Sequence, residues 1–407
     1  MRPKILIVSQ HYWPESFRIN DISDFFVKKG CDIDVLCGIP NYPKGRFFDG
    51  YSWLKNKRQK HNGVNITRAC ETPRGNSSVF RVLCNNMSFA IFSITHIPRL
   101  SFNKYDKIFL FQTSPVIMTI AGILIGKIKK TETIMYVGDL WPENLFSMFK
   151  TNNKLFIKLV TVISHWHYRQ ADKLIVISEK MKQKLTQITK IDAKKIIVLP
   201  QACEKIYENQ ICDQTLVEKF RNKFNIVFTG SISPAQSFET IVDAAKMLRN
   251  DGIVDINWII VGDGMSKKWL EEQFEKVGLS DSVYFEGQKD IKDIPKYFYI
   301  ADILIACLVK SKLLEATIPS KIMSYIAAGK PIVIAMDGEA QTLINDTIKC
   351  GFAGPAGDEQ AFSTNIIKIY NLSKKDKSIM GERARKYHFK NLERNIILNK
   401  LYDFIFV

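Results

Sequence analysis

Short runs of β-branched and other apolar residues recur along this 407-residue chain. Between them lie longer segments whose apolar positions fall three and four apart. The first run is Ile5–Ser9. A helical pattern follows from about Phe17 to Lys29, with Ile19, Ile22, Phe25 and Phe26 on one face and Ser16 placed to cap it. Gly30 ends that helix and Ile33–Cys37 reads as a second strand, which completes one βαβ unit. Further strands are expected at Lys107–Phe111, Thr133–Val137, Leu174–Ile177 and Ile196–Leu199. The second half repeats the scheme at Asn225–Thr229, Trp258–Val261, Val283–Phe285, Ile303–Ala306 and Pro331–Ala335. One of its helices, Phe238–Arg249, has Ile241, Ala244, Ala245 and Leu248 on one face. Such alternation predicts an α/β protein with parallel sheets covered on both sides. Strand signals pause near Pro200–Gln214. The expected domains are therefore 1–200 and 201–385, with a C-terminal helix in 386–407 that could pack back on the first.

Size and composition fit this picture. The chain is long for a single core, and 46% hydrophobic with 24% charged residues is ordinary for globular domains. The amino-terminal run lacks the longer apolar stretch and cleavage site of a signal peptide, so a cytoplasmic protein is expected. No stretch reaches the roughly 20 apolar residues that cross a bilayer. The longest attempt, Val116–Ile125, reads as a buried helix, with a membrane-surface helix as the alternative. The eight cysteines form no Cys-x-x-Cys, and Cys31, Cys37 and Cys307 lie in apolar runs as small hydrophobes.

Charge changes the picture more. Residues 1–200 hold 31 Lys and Arg against 14 Asp and Glu, whereas residues 201–407 hold 27 of each, so the whole net charge of +17 lies in the first half. Such a field suits an anionic partner, whether nucleic acid, acidic lipid headgroups or a diphosphate-bearing substrate, or else only a solvated basic surface. The basic stretch Lys55–Lys60 has few aromatics and no nucleic-acid module around it, so a solvated or lipid-facing loop is expected there.

In parallel sheets ligands bind beyond the carboxyl ends of strands. Gly230-Ser231-Ile232-Ser233-Pro234 follows one predicted strand and Gly262-Asp263-Gly264 the next. Either is a tight turn, or a turn whose N–H groups hold phosphate. Neither fits Gly-x-Gly-x-x-Gly, and there is no Walker-type Gly-Lys-Ser/Thr. In Ile318–Pro331, Pro319 opens a helix with Ser320 and Lys321 in its first turn. Free N–H groups and a cation together suit a diphosphate. Asp32-Ile33-Asp34 reads as a strand with exposed aspartates rather than a metal site. His165 and His167 sit two apart on a predicted helix, on different faces, so no metal is expected there. No Gly-x-Ser-x-Gly elbow is present.

The Pro319-Ser320-Lys321…Ala327-Ala328-Gly329-Lys330-Pro331 stretch resembles that of family-4 retaining glycosyltransferases, which have the two-Rossmann GT-B fold. Gly230–Gln236, Val261–Gly264, Phe285-x-Gly287 and Ala301-Asp302 follow in the family's order. Trp13-Pro14-Glu15, Asp139–Glu143 and Tyr168–Asp172 are similar to its O-antigen and capsule branch, in particular to N-acetyl-L-fucosamine transferases. The resemblance implies two Rossmann-like domains across a cleft, and a nucleoside diphosphate sugar, with UDP leading, in the second. Its donor site would comprise Gly230, Ser231, Gln236, Gly262, Gly264, Gln288, Pro319, Ser320, Lys321 and Ser324. The acceptor, a polyprenyl-diphosphate-linked saccharide, would meet His11, Glu15, Arg18 and Asp139, with a structural role for His11 equally open. Asp139 and Lys321 would be catalytic, with retention of configuration. No metal, cofactor or nucleic acid is implied, and the enzyme would sit on the cytoplasmic face of the inner membrane. The sequence departs from the family where two glutamates usually stand, at Ala316 and Ser324. It departs again at Ser233 and Gln236, which replace Arg and Lys, and at Gly138, which replaces His. Two other readings stay open: a sugar-nucleotide 2-epimerase, and a basic membrane or nucleic-acid binder without catalysis.

Overall fold

The computed structural model describes residues 2–76, 78–143, 145, 153–312 and 314–407. The chain divides into two compact units, one running up to Leu199 and including Leu398–Val407, the other Pro200–Ile397.

In the first unit the strands are β1 (Lys4–Val8), β2 (Asp32–Cys37), β3 (Arg58–His61), β4 (Val64–Arg68), β5 (Lys107–Gln112), β6 (Thr133–Val137), β7 (Lys173–Val176) and β8 (Ile196–Val198). They are ordered β3-β4-β2-β1-β5-β6-β7-β8, all parallel except β3. In the second unit, β9 (Phe224–Thr229), β10 (Ile256–Val261), β11 (Val283–Gly287), β12 (Ile303–Cys307), β13 (Ile332–Ala335) and β14 (Gly351–Gly354) follow the order β11-β10-β9-β12-β13-β14, all parallel. The central strands are near-continuous apolar runs, buried on both faces because helices cover both. In each sheet the strand order reverses beside the unit's first strand, between β1 and β5 and between β9 and β12. Such switch points open a crevice at the carboxyl ends of strands.

An aspartate before a strand braces each sheet from the opposite end. Asp106 accepts the N–H of Lys4, Asp172 that of Thr133 at 2.8 Å, and Asp302 that of Asn225 at 2.8 Å. Asp172 and Asp302 are thereby structural residues at strand starts.

Several expectations are corrected. The hairpin β3–β4 and the strand β14 were not foreseen. The Lys55–Lys60 stretch is therefore partly an antiparallel edge strand rather than only a loop. The first helix runs Arg18–Lys28 without a capping contribution from Ser16. Instead, Asn20 Oδ1 accepts the N–H of Trp13 and Asn20 Nδ2 donates to the carbonyl of Glu15. Asp34 is buried rather than exposed, accepting from Tyr105 at 2.8 Å and Asn65 at 2.9 Å. Residues 386–397 belong to the second unit, and only the last ten join the first. There Tyr402 and Phe406 meet Phe26 edge-on. Val116–Ile125 is a turn and a helix pressed into the core, as its apolar character suggests.

Candidate functional site

The second unit's switch point brings together the turn after β9 and the helix Ser320–Ala328 that follows β12. The two glycine turns are zipped to each other: Gly230 N–H donates to the carbonyl of Val261 at 2.9 Å and Ile232 N–H to that of Asp263 at 2.9 Å. Gly262 has φ +155°, and a Cβ there would lie 1.8 Å from the Gly230 carbonyl oxygen. Its lack of a side chain thus serves backbone packing, and the same holds for Gly264 against Ile232. Both glycines therefore serve the close packing of the two turns. Gly230 and Ser231 stay exposed at their outer edge.

Lys321 reaches into this turn. Its ammonium lies 3.9 Å from the centroid of the Phe228 ring and donates to Gln236 Oε1. A Cβ on Gly230 would come within 3.2 Å of it, so the bare glycine leaves the cation room. Among the described residues it forms no ion pair. Withdrawal from water pushes its pKa down to about 7. An ammonium held without a counter-charge at a helix amino terminus is poised for an anion. Pro319 stands at the N-cap, with no side-chain cap, and Ser320 is exposed beside it. Gln288 is exposed just beyond β11. Ala316 and Ser324 are buried, and the Ser324 hydroxyl turns back on the carbonyl of Ser320 at 3.4 Å, so neither offers a carboxylate. Glu315, the neighbouring acid, is half-buried.

The first unit's switch point holds a closed ring of hydrogen bonds that the sequence did not reveal. Arg74 Nη2 donates to His11 Nε2 at 3.0 Å, and Arg74 Nε to Asn85 Oδ1 at 3.1 Å. Gln10 Nε2 bridges Asn85 Oδ1 at 3.0 Å and Glu71 Oε2 at 2.9 Å. Asn41 Nδ2 donates to Glu71 Oε1 at 2.8 Å, and Asn41 N–H to Glu15 Oε1 at 2.6 Å. Glu15 Oε2 then accepts from His11 Nδ1 at 2.7 Å, which closes the ring. Arginine can only donate, so His11 Nε2 must accept, and Nδ1 must carry the proton. Burial pushes the Glu71 carboxyl well above the ordinary carboxylate range.

This geometry revises two expected acceptor contacts. Glu15 is 3% exposed and commits both oxygens, Oε1 also accepting from Tyr42 N–H at 2.6 Å. His11 is equally buried and stacks on Phe17 at 4.5 Å. Both are committed to the ring. They hold the half-buried Arg74, whose guanidinium lies 5.2 Å from the centroid of the exposed Tyr42 ring. Arg18 is half-buried on the following helix and makes no side-chain hydrogen bond with the described residues.

Asp139 ends the turn after β6. Its carbonyl accepts from Gln112 Nε2 at 3.0 Å and from the buried Tyr168 hydroxyl at 3.4 Å. That hydroxyl in turn accepts the Trp141 N–H at 2.9 Å, and Trp141 Nε1 donates to Ser114 Oγ at 3.0 Å. The half-buried Asp139 therefore stands on an anchored turn. With β5 between β1 and β6, that turn is roughly 10 Å along the sheet from the His11 loop. The buried His167 spends Nδ1 on the carbonyl of Ile163 at 2.8 Å. Among the described residues no group of three His, Cys, Asp or Glu side chains is placed to hold a metal ion.

Residues 215–387 match the family described as glycosyl transferases group 1. The Escherichia coli (strain K12) protein named as a colanic acid biosynthesis glycosyl transferase, WcaI, is 22% identical over 82% of this chain and 83% of its own length. An uncharacterized glycosyltransferase of Methanocaldococcus jannaschii, MJ1069, is 24% identical over 94% and 93% of the two chains. The crystal structure of Anabaena HepE in complex with UDP superposes with a TM-score of 0.72 at 16% identity, covering 99% of both chains. Residues 215–387 are thus similar to the glycosyl transferases group 1 family, on a chain that has the α/β fold of the GT-B glycosyltransferases.

Proposed function

We propose that this protein transfers a sugar from a nucleoside diphosphate donor, UDP-linked, to a polyprenyl-diphosphate-linked saccharide, with retention of configuration. The observation that carries the donor half is Lys321, an ammonium drawn from water without a counter-charge at a helix amino terminus. As the bond between the anomeric carbon and the phosphate oxygen breaks, negative charge grows on the leaving diphosphate. Lys321, the free N–H groups of Ser320–Ala328 and the open Gly230–Ser231 turn would stabilise it as preorganised positive groups, in the place a divalent cation could take. The relative bound to UDP and the colanic acid relative support a nucleotide sugar and a cell-surface polysaccharide. The motif resemblance makes N-acetyl-L-fucosamine the first donor sugar to test.

In this reading the first unit holds the acceptor. Arg18 and Arg74 would meet its charged groups, and Asp139 would orient or deprotonate the attacking hydroxyl, which joins the anomeric carbon on the face the diphosphate leaves. The chain would work at the cytoplasmic face of the inner membrane, and no described helix is long and apolar enough to cross one. Asp139→Asn is expected to lower transfer by about 10²-fold and leave UDP affinity unchanged. Titration calorimetry beside turnover checks this. Collapse of UDP affinity in a folded variant would place Asp139 on the donor side, and a loss confined to thermal stability would make it a structural turn residue.

A further inference from the structure

The helix Lys154–Gln170 is unusual in what it leaves uncovered. Its buried residues are Ser164, His167 and Tyr168, all in its second half. Leu155, Phe156, Leu159, Val162, Ile163 and Trp166 are exposed, Leu155 at 77% and Val162 at 58%. Contiguous apolar surface of this kind marks a binding face rather than scattered solvent contacts. The helix does not depend on packing for its start, because the Asn153 side chain accepts the N–H groups of Leu155 and Phe156 at 3.0 and 3.1 Å. Seventeen residues span about 25 Å. Since the helix leads into β7, its bare first turns lie toward the carboxyl ends of the strands, the end that carries Asp139 and the His11 ring.

Charge identifies the occupant. The helix carries Lys154, Lys158 and Arg169 and no acidic residue. Lys127, on the adjoining helix Ile120–Lys129, sits over Trp166 at 5.3 Å. The helix Val79–Ile94 packs on the same Val116–Thr119 turn, contains Arg81 but no acid, and exposes Phe80 and Ile91. A second copy would set these cations against each other. Anionic headgroups would neutralise them while the apolar side chains enter the acyl boundary.

We propose that the exposed apolar face of Lys154–Gln170 is an anionic-membrane docking element, seating the carboxyl-end face of the first unit against the lipid surface. The alternative membrane-surface helix at Val116–Ile125 is core and is not this face. The docking role deepens the lipid-linked acceptor reading and rests on it for its purpose, but not for its test. Full-length protein is sedimented with phosphatidylcholine vesicles with or without phosphatidylglycerol, in the absence of donor and acceptor. Wild type should bind only the anionic vesicles, and less as salt rises. Leu159→Glu with Val162→Glu should bind at least about tenfold more weakly, and Lys154→Gln with Lys158→Gln should weaken binding and flatten its salt dependence. Both double variants should keep the wild-type circular dichroism and thermal midpoint, because the changed side chains are exposed. Absent wild-type binding, equal binding to neutral vesicles, or unchanged binding by Leu159→Glu/Val162→Glu would overturn the proposal. So would a wild-type dimer in analytical ultracentrifugation that this variant abolishes. Transfer to a water-soluble acceptor, measured alongside, should be unchanged in the variants, and its absence in wild type would count against the transferase reading alone.

Discussion

Lys321→Met should cost about 10²–10³-fold in kcat/KM and at the same time make the ligand-free protein more stable. The loss follows from removing a preorganised charge beside the leaving diphosphate, worth about 3–4 kcal/mol in comparable sites. The gain follows from burial. A lysine whose folded pKa is pushed down to about 7, below its unfolded value, resists protonation in the folded state. The unfolded chain then binds more protons between about pH 7 and 10, so wild-type stability should rise with pH across that window and be lowest below it. Methionine removes the cost, giving about 2–3 kcal/mol at pH 7 once the cation–π contact with Phe228 is set against it. Donor binding should recharge the lysine. Calorimetry at pH 8 in two buffers of different ionisation enthalpy should therefore show proton uptake with UDP, lost in Lys321→Met. A variant with normal turnover, or one destabilised at pH 7, would remove Lys321 from the donor site.

Glu15→Ala is expected to destabilise the first unit by about 3–5 kcal/mol, read from its urea transition. It strips the acceptor from the buried Asn41 N–H, the part-buried Tyr42 N–H and the buried His11 at once, and each orphaned buried donor costs about 1–3 kcal/mol. Glu15→Gln separates positioning from packing. Its oxygen can keep the Asn41 and Tyr42 N–H groups, but its amide would present a donor to His11 Nδ1. The imidazole must then carry its proton on Nε2, against the Arg74 donor. Stability should fall by only about 1–2 kcal/mol, while the acceptor KM rises with donor affinity unchanged. A Glu15→Ala variant within about 0.5 kcal/mol of wild type would contradict the closed ring.

Much of the architecture is readable from apolar runs, because a parallel strand covered on both faces must be apolar nearly throughout. What escaped had no such signature. Arg58–His61 is polar at every position and lies on an edge, and Gly351–Gly354 carries two glycines. The proposed donor site was visible in the sequence because Pro319-Ser320-Lys321 is contiguous. That the ammonium lacks a counter-charge among the described residues is a property of packing alone. The ring of Gln10, His11, Glu15, Asn41, Glu71, Arg74 and Asn85 is spread over three loops and a helix, and no spacing announces it. His11 and Glu15 were noticed, but a sequence cannot show that an i,i+4 pair closes inward, as the His11–Glu15 bond at 2.7 Å does. The bare face of Lys154–Gln170 was masked in the same way, as apolar helical positions normally mean core.

The central claim is that this chain moves a sugar from a nucleotide donor to a second substrate. Purified protein incubated with a panel of sugar nucleotides, with and without a polyprenyl-diphosphate-linked saccharide, tests it most directly. Nucleoside diphosphate should be released from one UDP-sugar only when acceptor is present, with an equal amount of extended lipid-linked product. Isomerised sugar nucleotide formed without acceptor, or no turnover of any donor under conditions where UDP binds, would contradict it.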